Sequence, residues 1–293
     1  MIDKLELLLA LARERHFGKA AEACGVSQPT LSAAVKSLED QLGVLIVERG
    51  SRFRGFTPEG ERVLDWARRI VGDARTMRQE IEGLKHGLTG TLRLGVIPTA
   101  LPFVPELSIP FLSRHSAVHL SVVSLSTGAI LSGLDNLEID IGITYIDTEP
   151  LQRFFTLPLY EERYALLVGP GHPWRTRHTV TWAETAATPL CLLTPDMQNR
   201  RIIDQHLADA GTLDRPILES NSMTMLHVHV QAGLCATIAA LGDGARFTPP
   251  LQLAVIPITD PVVTHQIGLV LKAREPYPPH VAAFVAGAKR RQK

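Results

Sequence analysis

The 293-residue sequence has no excess of charge of either sign: 30 Lys and Arg face 30 Asp and Glu. That balance excludes a polybasic nucleic-acid coat and an acidic solvating chain, and leaves room only for a small local patch. Aromatic residues are scarce, at 5%, which argues against an aromatic stacking platform. Cysteine is scarcer still. Cys24, Cys191 and Cys235 lie far apart and form no C-x-x-C pair, so neither a disulfide framework nor a zinc ribbon is indicated. There is no uninterrupted apolar run of the roughly 18 residues that a membrane helix needs, and no P-loop, G-x-G-x-x-G, G-x-S-x-G or S-x-x-K. The N-terminus lacks a basic region followed by a small-residue cleavage site. The expectation is a cytoplasmic, membrane-free protein with no cofactor and no catalytic constellation.

What is present is a chain that can bury a core, with 45% hydrophobic residues. Its length favours two or three domains of roughly 100–200 residues each. Only Pro29 and Pro58 of the 20 prolines fall in the first 90 residues, so that part is expected to be mostly helical. Beyond His86-Gly87-Leu88-Thr89-Gly90, short β-branched runs alternate with helical stretches and turns.

In residues 1–57, Ile2, Leu5, Leu8, Leu9 and Ala12 recur at helical spacing. An Ala-rich segment follows, then Gly25 for a left-handed turn, Val26 as a core plug, Ser27 as an N-cap and Pro29 in the first turn. This spacing predicts a helix-turn-helix. On its second helix Leu31, Ala34, Val35, Leu38 and Leu42 share one face, leaving Pro29, Thr30, Ser32, Ala33, Lys36 and Ser37 on the other, with Gln28 just before them. Residues 45–47 and 53–56 can pair around Gly50 as a wing carrying Arg49, Arg52 and Arg54, whose guanidinium groups suit phosphates and narrow minor grooves. With eight basic and seven acidic residues in 1–57, any DNA affinity rests on placement. Thr57-Pro58-Glu59 then opens a long helix. Val63, Trp66, Ile70, Met77, Ile81 and Leu84 form an a/d-like stripe along it, as expected of a dimerisation helix over 58–87.

The run AAEACGVSQPTLSAAVKSLEDQLGVLIVERGSRFRGFTPEG resembles the winged helix-turn-helix of LysR-type transcriptional regulators. The length, the long helix, LPLYEERYALLVGPGHPW (157–174) and EIDIGITY (138–145, with Asp140) extend the resemblance over the chain. Ala33-Ala34 depart from the family's common Arg-Gln. The resemblance implies an α/β fold with an all-α, winged N-terminal domain. Its parts would be a winged helix-turn-helix (1–57), a linker helix (58–87) and a two-lobed, periplasmic-binding-protein-like effector domain, with lobe I at 91–160 and 265–293 and lobe II at 161–264. It implies double-stranded promoter DNA, a small-molecule effector, RNA polymerase and a homodimer or homotetramer as partners. GLDNLEIDIGITY and TPDMQNRRIID are similar to members near formate dehydrogenase operons, which implies a small anionic effector.

In α/β sheets, ligands collect beyond strand ends, at helix N-termini. Thr99, Ser126, Thr127, Thr144, Thr194 and Asn221 fall at such positions, with Arg200 and Arg201 as sources of positive charge. Each Ser or Thr could equally be a helix cap. His115/His119 and His227/His229 lack metal-site context, so no metal ligand is expected. A soluble small-molecule-binding α/β protein, or an enzyme with an N-terminal oligomerisation module, is the alternative.

Overall fold

The computed structural model describes residues 1–48, 50, 53–148, 151–211, 215–242 and 252–291. It separates into two compact units. Unit 1 holds Met1–Gly90 with Asp135–Glu138 and Arg274–Ala282; unit 2 holds Thr91–Leu134, Ile139–Ala273 and Ala283–Lys293.

Unit 1 is built on α1 (Ile2–Glu14), α2 (Phe17–Ala23), α3 (Gln28–Leu42) and α4 (Pro58–His86). Leu5, Leu8, Leu9 and Leu11 of α1 meet Ala20 and Ala21 of α2, and Leu31, Val35 and Leu38 of α3, in one apolar core. The alanines let α2 approach closely. Gly25, at φ +66°, makes the turn into α3, and Val26 packs partly buried against the core. On α3 the expected apolar face is shorter than its pattern: Ala34 is only half-buried and Leu42 is exposed. Among the described residues of the wing, Val47 and Phe56 form an antiparallel bridge, flanked by hydrogen bonds from Glu48 N to the Gly55 carbonyl at 3.1 Å and from Thr57 N to the Ile46 carbonyl at 3.0 Å. The wing runs so close to α4 that a side chain at Gly60 would collide with the Ile46 carbonyl.

Unit 2 begins with β1 (Gly90–Val96), a 3-10 turn at Pro98–Phe103, α5 (Val104–Arg114), β2 (Val118–Ser124), α6 (Thr127–Asp135) and β3 (Ile141–Tyr145). There follow β4 (Phe154–Val168), β5 (Val180–Thr181), α7 (Trp182–Thr185), β6 (Cys191–Leu193), α8 (Gln198–Asp209) and β7 (Leu218–Ser220). The last elements are α9 (Met223–Gln231), β8 (Thr237–Gly242), β9 (Ala254–Thr259), β10 (Thr264–Lys272) and α10 (Pro279–Arg291, which begins in unit 1). Among the described residues the main sheet runs β2-β1-β3-β10-β4-β9-β5, with β8 also on β4; β6 and β7 pair separately.

The alternation of strands and helices predicts a mostly parallel sheet, and here the structure differs. The pairing is mixed: β1–β3, β5–β9 and β6–β7 are parallel, but β10 is antiparallel to both β3 and β4, and β8 and β9 are antiparallel to β4. The antiparallel pairs gather on β4, a 15-residue strand that takes β8, β9 and β10, all later in the chain, as its partners. At its middle, Glu162 faces His265 of β10 on one side and Gly242 of β8 on the other. Asp140, the acid singled out in the sequence, accepts Arg93 N at 2.9 Å and forks the Arg93 guanidinium at 3.0 and 3.2 Å, tying β1 to the approach of β3. No described helix is long and apolar enough to cross a membrane.

Candidate functional site

Two constellations stand out, one in each unit. In unit 1 the first turn of α3 is fixed by its own side chains. Ser27 Oγ accepts Thr30 N at 3.3 Å and lies 2.8 Å from Thr30 Oγ1, and Pro29 occupies a position that needs no N–H partner. Gln28, Pro29, Thr30, Ser32 and Lys36 are all exposed, along with Ser27. Small polar groups and one ammonium thus project from a rigid helix start, the arrangement by which such helices enter a major groove.

The wing is anchored by a residue the sequence reading did not single out. Glu39 Oε1 accepts Ile46 N at 2.8 Å and Val47 N at 3.2 Å, so one of the seven acids of this segment is committed to holding the wing on α3. Phe53 stacks edge-on against both Phe17 (6.3 Å) and Phe56 (5.1 Å). Arg54 is exposed. Arg49 and Arg52 lie outside the described residues.

On α4, Thr57 Oγ1 accepts Gly60 N at 2.9 Å and Pro58 starts the helix, as its sequence predicts. The stripe divides. Trp66, Ile70, Met77, Ile81 and Leu84 are exposed, Leu84 by 89%, and Arg69 lies over the Trp66 ring at 5.1 Å. Val63 instead packs against the core of its own unit. A second apolar face, Leu64, Ala67 and Val71, is fully buried there.

In unit 2 the structure brings some of the expected polar groups together and leaves others apart. Thr127 and Thr144 are fully buried, their hydroxyls 2.8 Å apart. Ser126 Oγ accepts Ala129 N at 3.4 Å as a helix cap. Thr194 is half-buried and Asn221 exposed. Arg200 does not offer free charge: it binds Asp204 at 2.7 Å, Glu219 at 2.7 Å and the Leu193 carbonyl at 2.8 Å, with its side chain 8% exposed. Arg201 is exposed.

The most unusual chemistry was not among the expected residues. Three of the chain's four tyrosines converge around Glu162. Tyr145 Oη donates to Glu162 Oε2 at 2.9 Å and Tyr160 Oη to Oε1 at 3.2 Å, while Asn199 Nδ2 donates to Tyr145 Oη at 3.2 Å. Thr99 faces the same carboxyl, without closing a hydrogen bond. Glu162 and Tyr145 are fully buried, and Tyr164, two residues along β4, is 3% exposed with its hydroxyl unpartnered. Burial pushes the Glu162 carboxyl up to about 7, opposed by the Tyr145, Thr99 and Tyr160 hydroxyls and reinforced by the negative charge of Asp147. Burial also raises the Tyr145, Tyr160 and Tyr164 phenols, so they remain neutral donors. Rings close the cluster: His265 stands edge-on to Tyr145 (5.9 Å) and Tyr164 (6.2 Å), Trp182 lies 5.5 Å from Tyr164, and Phe103 lies 4.6 Å from Tyr160. The signal was the alternation Tyr160-Glu162-Tyr164, which puts all three on one face of a strand.

The thiols are not poised for reaction. Cys191 and Cys235 are buried, Cys24 is half-buried, and burial pushes all three thiols up. Among the described residues no group of three or more His, Cys, Asp or Glu is placed to hold a metal.

Two family descriptions match the chain: "Bacterial regulatory helix-turn-helix protein, lysR family" over residues 2–61 and "LysR substrate binding domain" over residues 85–293. The DNA-binding transcriptional dual regulator OxyR of Escherichia coli K12 is 31% identical over 280 residues, 94% of this chain and 90% of that protein. The hydrogen peroxide-inducible genes activator of Pectobacterium carotovorum is 30% identical over 276 residues, 94% of this chain and 91% of that protein. Among solved structures, a full-length OxyR variant from Pseudomonas aeruginosa matches with a TM-score of 0.72 and 27% identity, covering 99% of this chain and 97% of that one. CbnR complexed with its target DNA shares the fold, with a TM-score of 0.60 and 22% identity over 99% of each chain.

Proposed function

The chain belongs to the LysR family of bacterial transcriptional regulators, and from that membership we propose that α3 reads promoter DNA and that unit 2 senses a small molecule. The supporting observation is the capped start of α3, where Ser27, Gln28, Pro29, Thr30, Ser32 and Lys36 form one exposed polar face. Base contacts come from these side chains. Arg54 supplies phosphate contacts, the role also assigned from the sequence to Arg49 and Arg52. Because the charge balance is so even, affinity depends on several heads acting together. The exposed stripe Trp66, Ile70, Met77, Ile81 and Leu84 would join two copies along α4, and a dimer or tetramer would bend the site and present it to RNA polymerase. The protein acts in the cytoplasm and as a regulator, not a catalyst.

The effector is taken up in unit 2, with lobes 91–160/265–293 and 161–264 hinging on β4. What supports this is Thr99 just after β1, the Thr127–Thr144 hydroxyl pair and the Asn199 contact from α8 to Tyr145. A thiol-based response to peroxide, suggested by the relatives' names, finds no support in three thiols raised by burial. A mobility-shift titration with the upstream intergenic DNA tests the reading. Binding that weakens steeply with salt is expected, and no salt-sensitive binding would overturn it.

A further inference from the structure

We propose that the Glu162 cluster is a recognition site for a small organic cation, a primary ammonium, so that the effector carries positive rather than negative charge. This rests on reading unit 2 as the effector-sensing half.

The groups that act most on the Glu162 carboxyl are the hydroxyls of Tyr145, Thr99 and Tyr160 and the carboxylate of Asp147; none is a cation. Asp147 itself accepts Gln266 N at 2.9 Å and lies 3.3 Å from His265 Nδ1. Arg200, one of the two arginines expected to attract an anion, is already paired with two carboxylates. An anionic ligand would therefore meet a buried acid, with no free guanidinium offered by Arg200. A cation would meet a buried carboxylate that already accepts the Tyr145 and Tyr160 hydroxyls, with Tyr164 and Phe103 packed into the same cluster.

The hydrogen-bond inventory fits the same ligand. Each carboxylate oxygen accepts one tyrosine and keeps a further lone pair. Thr99 Oγ1 and Tyr164 Oη are buried without partners. An ammonium has three donors and no acceptor. The remaining lone pairs of the Glu162 carboxylate supply acceptors for it, and the Thr99 hydroxyl faces the same carboxyl. Because a raised carboxyl must ionise to pair with the ligand, binding near neutral pH releases a proton.

The test uses the full-length protein, titrated calorimetrically with methylammonium and ethanolamine, and separately with formate and acetate. The same samples are assayed for DNA binding. The expected result is binding of the ammonium probes, with heats that depend on the buffer's ionisation enthalpy. Glu162→Gln should weaken that binding about a hundredfold, and Tyr164→Phe, which removes only the unpartnered hydroxyl, about tenfold. Absence of ammonium binding, or binding unchanged in Glu162→Gln, overturns the assignment. Binding of formate or acetate alone also overturns it but leaves the sensing role of unit 2 intact. Loss of DNA binding by the unmodified protein is a separate failure, of the regulator reading itself.

Discussion

Tyr145 Oη donates to Glu162 Oε2 across 2.9 Å with neither side chain open to solvent, which joins the end of β3 to the middle of β4. The bond favours the ionised carboxyl, yet burial outweighs it and the acid is pushed up from an ordinary 4.5 to about 7. A folded acid held above its unfolded value contributes stability that is fully present below about 4.5 and is lost as the pH rises through about 7. In the absence of ligand, chemical denaturation across that window should show a decline of about 3 kcal/mol. Glu162→Gln has no such titration and should flatten that part of the profile. An identical slope in both proteins would refute the assignment.

That cluster also marks where the sequence stops being legible. The helix-turn-helix could be read because each local device points the same way: apolar spacing, an alanine-rich α2, Gly25 at the turn and Ser27 at the cap. Thr99, Thr127 and Thr144 could be placed because strand ends announce themselves. The Tyr160-Glu162-Tyr164 alternation puts Glu162 on one face of β4, but it does not say which face is inward; pairing on both sides of β4 decides that. Likewise α4 carries apolar residues on two faces. Periodicity alone identifies the Trp66 face and cannot say that Leu64, Ala67 and Val71 are the ones its own core takes.

Glu39 makes the wing a dependent element. Its carboxylate accepts two backbone N–H groups at the strand entering the wing, and hydrogen bonds to a charged acceptor are worth about 1.5–3 kcal/mol each. Glu39→Ala should therefore loosen residues 46–47 while α1–α3 stay folded. Hydrogen exchange should rise at those amides, and DNA affinity should fall about tenfold although one negative charge has been removed. Tighter DNA binding would mean that the charge, not the anchoring, dominates.

The thiols should be slow to react. Cys191 and Cys235 are buried and all three thiols are raised by burial, so little thiolate is present at neutral pH. A thiol-disulfide reagent should modify no more than one cysteine quickly in the native protein, Cys24, and all three after unfolding. Replacing the three by serine should leave DNA binding unaltered by added peroxide. Rapid modification of Cys191 or Cys235 in the folded state would contradict this.

The two faces of α4 should separate stability from assembly. Ile81 and Leu84 are exposed in the single chain, whereas Val71 is fully buried in unit 1. A charge at Ile81 costs the fold little but must be desolvated if two α4 helices pair. Ile81→Glu with Leu84→Glu should therefore sediment as a monomer, with its thermal midpoint nearly independent of protein concentration. Val71→Ala should lower stability by about 1–3 kcal/mol through the cavity it leaves and keep the assembled state. The double glutamate variant should then bind a two-half-site operator far more weakly than the wild type, because the gain from linking two heads is lost. On a single half-site the two should differ little. Equal affinity of both proteins for the full operator would place the dimer contact elsewhere.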